Sequence, residues 1–455
     1  MKLLGLDIGT TSICVNVIDS ETGQVICTSN VPNTSFIHTD RAYEKIQDPA
    51  RILSCATHAV EAMIEKHSPI DAIGISGQMH GILYLDAEGN AVSPLYIWQD
   101  GRGDQEYKDG KSYAEYMSEV TGCDLATGFG TVTHFFNMKN SLIPEKAVKL
   151  STIHDYVGMK LTGGKEPVTH PSDAASLGLY NLTEDKFDEA AMEKLGIDPS
   201  FFPEVKKGFE IIGKTKHGIP VAVAIGDNQA SFMGSVKDSE SSILVNVGTG
   251  GQVSMVTDKP LYNQYIETRP WTDGKYLLVG PSLCGGRAYA ILERFFRSVV
   301  QLTDAEVFTM YPIMDKLSEG YKTLTDKLEV STLFCGERGN PSKRGSISNI
   351  SADNFTPQHL VVGVLEGTVN ELYEKYTYMS ENIATPPSTL VGSGNGIRKS
   401  KVTRSMFAGK FGMEVKVPAH KEEAAYGAAL FAGVAAGVFK SLKEAQSIIK
   451  YEKED

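Results

Sequence analysis

Several chemistries are absent from this chain. No G-x-x-x-x-G-K-[ST] occurs, which excludes a P-loop nucleotide site. No H-E-x-x-H and no Cys/His ligand spacing occurs, which argues against structural zinc, and the absence of G-x-S-x-G leaves a serine hydrolase without support. The six cysteines, Cys14, Cys27, Cys55, Cys123, Cys284 and Cys335, are scattered without a C-x-x-C pair. In a long chain that is the usage of a reducing compartment, with buried thiols as the plain reading. Basic residues are outnumbered, 44 Lys and Arg against 56 Asp and Glu, for a net charge of −12. A nucleic-acid or anionic-membrane partner, which calls for a basic footprint, is therefore not expected. Long apolar runs are also missing. The longest stretch of small apolar residues, Ala424 to Phe439, is too short to span a bilayer, and its Gly433 and Gly437 fit a closely packed buried helix. The opening MKLLGLDIG is interrupted by Asp7, so it does not read as a secretory signal. The expectation is a cytoplasmic protein.

What is present is said twice. Residues 4–18 read LGLDIGTTSICVNVI and residues 243–256 read ILVNVGTGGQVSMV. Asp7-Ile8-Gly9-Thr10 and Asn246-Val247-Gly248-Thr249 occupy equivalent places. A strand, a tight glycine turn and a returning strand aim backbone N–H groups and hydroxyls in one direction, which suits a phosphate. One copy in each half implies two similar domains serving one polyphosphate. Two unrelated hairpins are the plain alternative, since glycine turns between strands are common. At 455 residues, with about 100–200 per domain, two to four domains are expected. Strands alternate with helices in both halves, which indicates an α/β architecture. The polar segment SVKDSES, 235–241, marks the boundary.

Four clusters follow expected strands, where α/β folds place ligands. Asp7 precedes Gly9-Thr10-Thr11-Ser12, placing a carboxylate beside a phosphate cradle where a hydrated Mg²⁺ would need one. An Asp that caps its own turn is the alternative. Gly77-Gln78-Met79-His80-Gly81, with Trp98, Asp100 and Arg102 about twenty residues on, offers the directional polar groups and the apolar face that a polyol needs. A lone His is more commonly a satisfied core residue, although the two flanking glycines favour function. Gly226-Asp227-Asn228 ends the apolar strand 221–225, and its carboxylate could take a proton from an attacking hydroxyl. It could equally be ordinary turn chemistry. Gly392-Ser393-Gly394-Asn395-Gly396 can bring backbone close to a nucleotide, but its third glycine comes one position too early for a dinucleotide fingerprint.

In this order the clusters resemble the FGGY carbohydrate kinases of the actin-like ATPase superfamily. The collinear motifs cover essentially the whole chain. They are DIGTTS (7–12), SGQMHG (76–81), IWQDGR (97–102), HDYVGMKLTG (154–163), SDAASLGLYNL (172–182), GDNQAS (226–231), NVGTGG (246–251), CGERGNPSKRG (335–345), VLEG (364–367), VGSGNG (391–396) and EEAAYGAALFAG (422–433). The QMHG form is similar to xylulokinases and sedoheptulokinases rather than glycerol kinases. ATGFGTVTHFF (126–136) and STIHDYV (151–157) resemble the sedoheptulokinases, the Gly-Phe-Gly at 128–130 most specifically. The sequence departs from the family at THFFNMK (133–139), with Phe where Trp is common, and at Ser393, where a glycine is usual.

The resemblance implies two actin-like (ribonuclease H-like) α/β domains, 1–235 for sugar and 236–455 for nucleotide, flanking a central cleft. It implies transfer of the γ-phosphoryl of ATP, with Mg²⁺, to a primary hydroxyl of a ketose, sedoheptulose first. Xylulose or another sugar is the alternative substrate, and a non-enzymatic actin-like scaffold the alternative of another class. The sugar-side cluster speaks against a scaffold. By the same resemblance Asp227 is the catalytic base and Asp7 positions Mg²⁺, while Gly9, Thr10, Thr11, Ser12, Gly248 and Thr249 cradle phosphates. Gln78, Met79, His80, Trp98, Asp100 and Asn228 shape the sugar site. Gly286, Gly392, Ser393, Gly394 and Asn395 lie on the nucleoside side. Oligomeric state is left open, a homodimer included.

Overall fold

The computed structural model describes every residue except Ala305, Arg338, Gly339, Pro341, Asn382, Ala384, Glu454 and Asp455. Part of the CGERGNPSKRG motif and the end of the charged tail therefore lie outside the described residues. The chain divides into two units.

The first unit holds Met1–Lys237, Arg269–Gly274 and His420–Lys450. Its main sheet is built from β1 (Lys2–Ile8), β2 (Ser12–Asp19), β3 (Val25–Pro32), β4 (Ala72–Gly77), β5 (Ile211–Lys214), β6 (Pro220–Ala222) and β7 (Ile225–Gly226). The order is β5-β6-β4-β1-β2-β3, with β7 also pairing on β4. Strand β1 runs antiparallel to β2 and parallel to β4, with Asp7 level with Ser76 and Ile8 level with Gly77. Strand β7 is parallel to β4, so that Gly226 also lies level with Gly77. Three chain segments thus leave the sheet at one edge, carrying Asp7, Gln78 and Asp227 with them. Apolar runs buried on both faces make such central strands. Leu4, Leu6, Ile8, Ile73 and Ile75 pack in one core with Ile52, Ala56 and Val60 of α1 (Pro49–His67) and with Ile153 and Val157. Helix α1 starts where Asp48 accepts hydrogen bonds from the Ala50 and Arg51 amides and Pro49 supplies a fixed φ.

A second core lies around a helix that the sequence pattern had not marked, α2 (Gly130–Lys139), with Phe135, Tyr84, Met117 and Leu177. Eight of its ten residues, Gly130 to Asn137, are buried, so its periodicity does not stand out. Helices α3 (Ile153–Leu161), α4 (Pro171–Leu177) and α5 (Asp227–Ser235) complete the elements that carry the site.

The second unit holds Asp238–Thr268, Lys275–Ala419 and Tyr451–Asp455. Its strands β8 (Ser242–Val247), β9 (Gly251–Thr257), β10 (Tyr276–Ser282), β11 (Thr389–Ser393) and β12 (Val415–Lys416) lie in the order β10-β9-β8-β11-β12. The duplication read from sequence is real in three dimensions. Strand β8 is antiparallel to β9 and parallel to β11, as β1 is to β2 and β4. Even the strand-end contact recurs: the Ser76 hydroxyl donates to Asp7 Oδ1 at 2.7 Å, and Asn246 Nδ2 donates to Ser393 Oγ at 2.7 Å. Helices α6 (Gly286–Gln301) and α7 (Pro357–Ser380) follow.

The chain returns to the first unit at His420, as α8 (Glu423–Ala435), so that unit is not the continuous 1–235 expected. The physical reason is apolarity on every side, with Ala425 to Gly433 all buried. Helix α8 seats on Gly5 of β1 and Gly74 of β4, and against α5, where Gly234 and Gly427 allow backbone contact. Among the described residues no helix is long and apolar enough to cross a membrane.

Candidate active site

The edge where β1, β4 and β7 end gathers most of the first unit's expected site residues. Asp7 is half-buried and its carboxyl is pushed up to about 6. Burial is the main cause and the charge of Asp227 adds to it, while the Ser76 hydroxyl and His154 oppose. Asp227 opens α5 and accepts from its neighbour Asn228 Nδ2 at 3.0 Å. Burial raises its carboxyl above the ordinary range, against the pull of the Arg269 guanidinium, Asn228 and His154. Two carboxylates that feel one another at one strand edge are an arrangement for holding a cation or a proton.

Folding holds the Asp7 charge at a cost, and the sign gives a test. Because the folded pKa of about 6 lies above the ordinary 3.8, the penalty is absent below the lower value and complete above the upper one. Asp7→Asn should therefore melt higher than the parent protein at pH 8 without ligands, by at most about 3 kcal/mol. The gain should shrink between pH 6 and pH 4. A melting difference that ignores pH over this range would contradict the assignment.

Two groups at this edge were not foreseen. Arg269 places NH1 3.2 Å from Met79 Sδ, and the same sulfur lies 3.7 Å from Asn228 Nδ2. The second is a buried ion pair, His154 Nε2 to Asp173 Oδ1 at 2.9 Å. Burial disfavours the imidazolium, but Asp173, Asp155 and Asp227 outweigh it and lift His154 to about 9. Asp155 is raised, chiefly by burial, with His154 opposing. Among the described residues His154, Asp155 and Asp173 form the one group whose ligand atoms all lie within 4.8 Å of one another. The imidazole and the two carboxylates thus form one buried polar cluster next to Asp227. Gly77 leaves room for it, since a Cβ there would stand 2.9 Å from His154 Nδ1. Sequence offered His154 and Asp173 only as parts of motifs, 19 residues apart.

The sugar-side cluster is assembled tightly. Buried Gln78 accepts from Thr10 Oγ1 at 3.1 Å and donates to Gln47 Oε1 at 2.9 Å. Trp98, 45% exposed, donates Nε1 to Thr10 Oγ1 at 3.0 Å. The Thr10 hydroxyl thus bonds the sugar-side pair, while its backbone lies on the Gly9 turn. Thr11 is exposed and Ser12 half-buried, and with Gly9 they remain on the turn. His80 sits at φ 73°. Its Nδ1 donates to the Ser176 carbonyl at 2.7 Å, and its ring stacks on Phe129 at 4.7 Å. The Gly-Phe-Gly turn makes this stack possible. Gly128 has φ 89°, and a Cβ on it would stand 2.0 Å from the Trp98 carbonyl oxygen.

Asp100 does not join the cluster. Its side chain is fully buried and accepts from Arg102 Nε at 2.6 Å and from the Lys45 amide at 2.9 Å. Arg102, itself 1% exposed and 4.2 Å from the Tyr96 ring centroid, needs that carboxylate as its counter-charge. The WQDGR motif therefore divides: the indole faces the site and the ion pair is internal.

In the second unit, the Gly248–Gly250 turn is fastened to the start of α6. The Gly286 amide donates to the Gly248 carbonyl at 2.8 Å and the Arg287 amide to the Thr249 carbonyl at 3.0 Å. Cβ atoms on Gly285 and Gly286 would stand 2.3 and 2.6 Å from the Gly250 and Gly248 oxygens, so this junction has no slack. Gly392 and Ser393 are buried, and Ser393 Oγ is occupied by Asn246. Gly394, at φ 79° against the Val247 carbonyl, carries the chain out to exposed Asn395, and these two remain available.

Comparison with known proteins agrees with the resemblance read from sequence. Residues 2–244 match the N-terminal domain of the FGGY family of carbohydrate kinases, and residues 243–436 its C-terminal domain. The chain is 28% identical to the sedoheptulokinase of Mus musculus, over 94% of this chain and 96% of that protein. It is 25% identical to the gluconokinase of Bacillus subtilis (strain 168), over 98% and 90%. Among solved structures, the xylulose kinase from Lactobacillus acidophilus superposes with a TM-score of 0.83 at 21% identity, over 99% of this chain and 93% of that one.

Proposed function

We propose, for a chain that belongs to the FGGY carbohydrate kinases and is an ATP-dependent phosphotransferase with a hydroxyl acceptor, that the acceptor is a ketose and sedoheptulose the preferred one. Membership rests on the two family matches, which together span residues 2–436. Relatives named for sedoheptulose, gluconate and xylulose all lie within a narrow range of identity, 25–28%. The preference for sedoheptulose is carried instead by one local observation. The 128–130 turn closes on Trp98 and stacks Phe129 on His80, and this is the segment most particular to the sedoheptulokinase resemblance.

In this reading Asp227 takes the proton of the primary hydroxyl as it attacks the γ-phosphorus in line. Phosphoryl transfer depends mainly on positioning and charge stabilisation, and the base aligns the nucleophile rather than forming a bond itself. Arg269 and His154 hold the Asp227 carboxylate toward its ionised form. Gln78, Met79, His80, Trp98 and Asn228 shape the acceptor pocket. In the first unit the Gly9 and Thr10 backbone with Thr11 and Ser12 offers ligands for phosphate oxygens, and in the second unit Gly248 and Thr249 offer the same chemistry. Asp7 fits a Mg²⁺ carried with ATP: its carboxylate feels Asp227 and titrates near 6, so a nearby cation would fix its charge. Such an ion would offset charge on the phosphates.

The test is ATP consumption with C5 to C7 ketoses, gluconate and glycerol under steady-state conditions. The expected result is a kcat/KM for sedoheptulose above that for xylulose. A higher value for xylulose or gluconate overturns the substrate assignment, and turnover of glycerol alone places the chain in another branch of the family.

A further inference from the structure

Six cysteines that look scattered in sequence are not scattered in space. Cys284 and Cys335, 51 residues apart, bring their sulfurs to 3.8 Å within the second unit. Both are free thiols. Cys284 is 1% exposed and stands between the end of β10 and Gly285-Gly286, where α6 begins. Cys335 is half-buried, and Arg287 NH1 lies 3.6 Å from its sulfur. Its segment is clamped to α7 by Thr332 Oγ1 donating to Glu371 Oε2 at 2.7 Å and by Lys375 with Glu337 at 2.7 Å.

We propose that Cys284 and Cys335 are a redox-active dithiol which a peroxide converts to a disulfide, and that this bond reversibly weakens ATP binding by displacing the start of α6. The roles divide by environment. Cys335 is the accessible sulfur, half-buried with the Arg287 guanidinium beside it. Cys284 is held protonated, its thiol pushed up to about 12 by burial first and by Cys335 second. The Cys335 thiol gives up its proton and its sulfur attacks a peroxide oxygen; the O–O bond breaks, Cys335 becomes a sulfenic acid, and the leaving hydroxide takes up that proton and departs as water. Cys284 sulfur then attacks the Cys335 sulfur, its proton goes to the departing hydroxyl, and a second water leaves. Two thiols and one hydrogen peroxide thus give one disulfide and two waters. A dithiol reductant reverses the step by exchange.

The consequence rests on the reading that the Gly248–Gly250 turn holds phosphate. A disulfide requires about 2.05 Å between the sulfurs, so the pair must close by nearly 2 Å. The Cys335 segment is anchored to α7, so part of the closure falls on Cys284. Its neighbours Gly285 and Gly286 sit against the turn without slack, and the displacement is passed to the turn carbonyls that α6 grips.

The experiment measures binding of a non-hydrolysable ATP analogue with Mg²⁺, without sugar, by calorimetry on the reduced, peroxide-treated and dithiothreitol-recovered full chain. Each sample is peptide-mapped. The expected result is a Cys284–Cys335 link, a Kd raised about 5-fold or more, recovery on reduction, and no change in Cys335→Ser. Absence of the link after peroxide overturns the proposal. So does a link that leaves Kd unchanged, or equal weakening in Cys335→Ser. Reduced protein that binds no analogue overturns the nucleotide reading itself, and the switch with it.

Discussion

Asp227→Asn is expected to lower kcat roughly 10²–10⁴-fold, the range for losing a positioned base, with little change in nucleotide affinity or melting temperature. The amide keeps the shape and one acceptor oxygen but cannot take the proton. The local geometry makes the separation clean. Asp227 is the first residue of α5, and the helix has no side-chain cap that the substitution would remove. The Asn228 amide that donates to the carboxylate can donate to an amide oxygen as well. Burial already disfavours the charge, so removing it does not cost the fold a favourable ion. The measurement is kcat at saturating sugar and Mg-ATP beside a melting curve. Near-normal turnover in a folded variant would remove Asp227 from the mechanism. Lost stability with retained turnover would make it a turn residue.

What was legible in the sequence, and what was not, follows the range of the forces involved. The two hairpins could be read because a glycine turn between apolar strands is a local device, and its repetition at 243–256 is visible without any tertiary contact. Asp7 and Asp227 could be placed at strand ends for the same reason. Arg269 could not, since nothing near it in sequence says that it lies beside Met79. His154 and Asp173 stand in two separate motifs, and only the fold brings them together as a buried pair. Asp100 was misread because Trp, Asp and Arg at close spacing look like a polyol site. Deciding that Arg102 is in the core, and so claims the carboxylate, takes Tyr96 from a neighbouring strand. The hydrogen-bond partners of the Thr10 and Ser393 hydroxyls, Gln78 and Asn246, are likewise invisible until distant segments are brought together.

The same limit covers Gly5, which lies in the repeated segment 4–18 but carries no role there, and Gly74, which lies outside every motif, and the largest stability effect is expected at these two. A Cβ on Gly5 would stand 1.7 Å from the Ala425 carbonyl oxygen, and one on Gly74 1.8 Å from that of Ala428. Both obstacles are backbone of α8, not the end of a flexible side chain. The helix can yield only by lifting off β1 and β4, which would open the interface that buries Ala425, Ala428 and Leu430. Gly5→Ala and Gly74→Ala should therefore each cost about 3 kcal/mol, the upper end for overpacking a core. Gly409→Ala is the control. It makes the same substitution inside a helix, Lys401–Phe411, with nothing within 4 Å of the new methyl. There the change should stabilise by roughly 0.5–1 kcal/mol, because alanine restricts the unfolded chain and favours helix. Denaturant and thermal unfolding of the three variants decide the matter. Opposite signs at buried and open glycines are the expected pattern. Gly5→Ala and Gly74→Ala proteins as stable as the parent would mean that α8 does not seat on the sheet through these glycines.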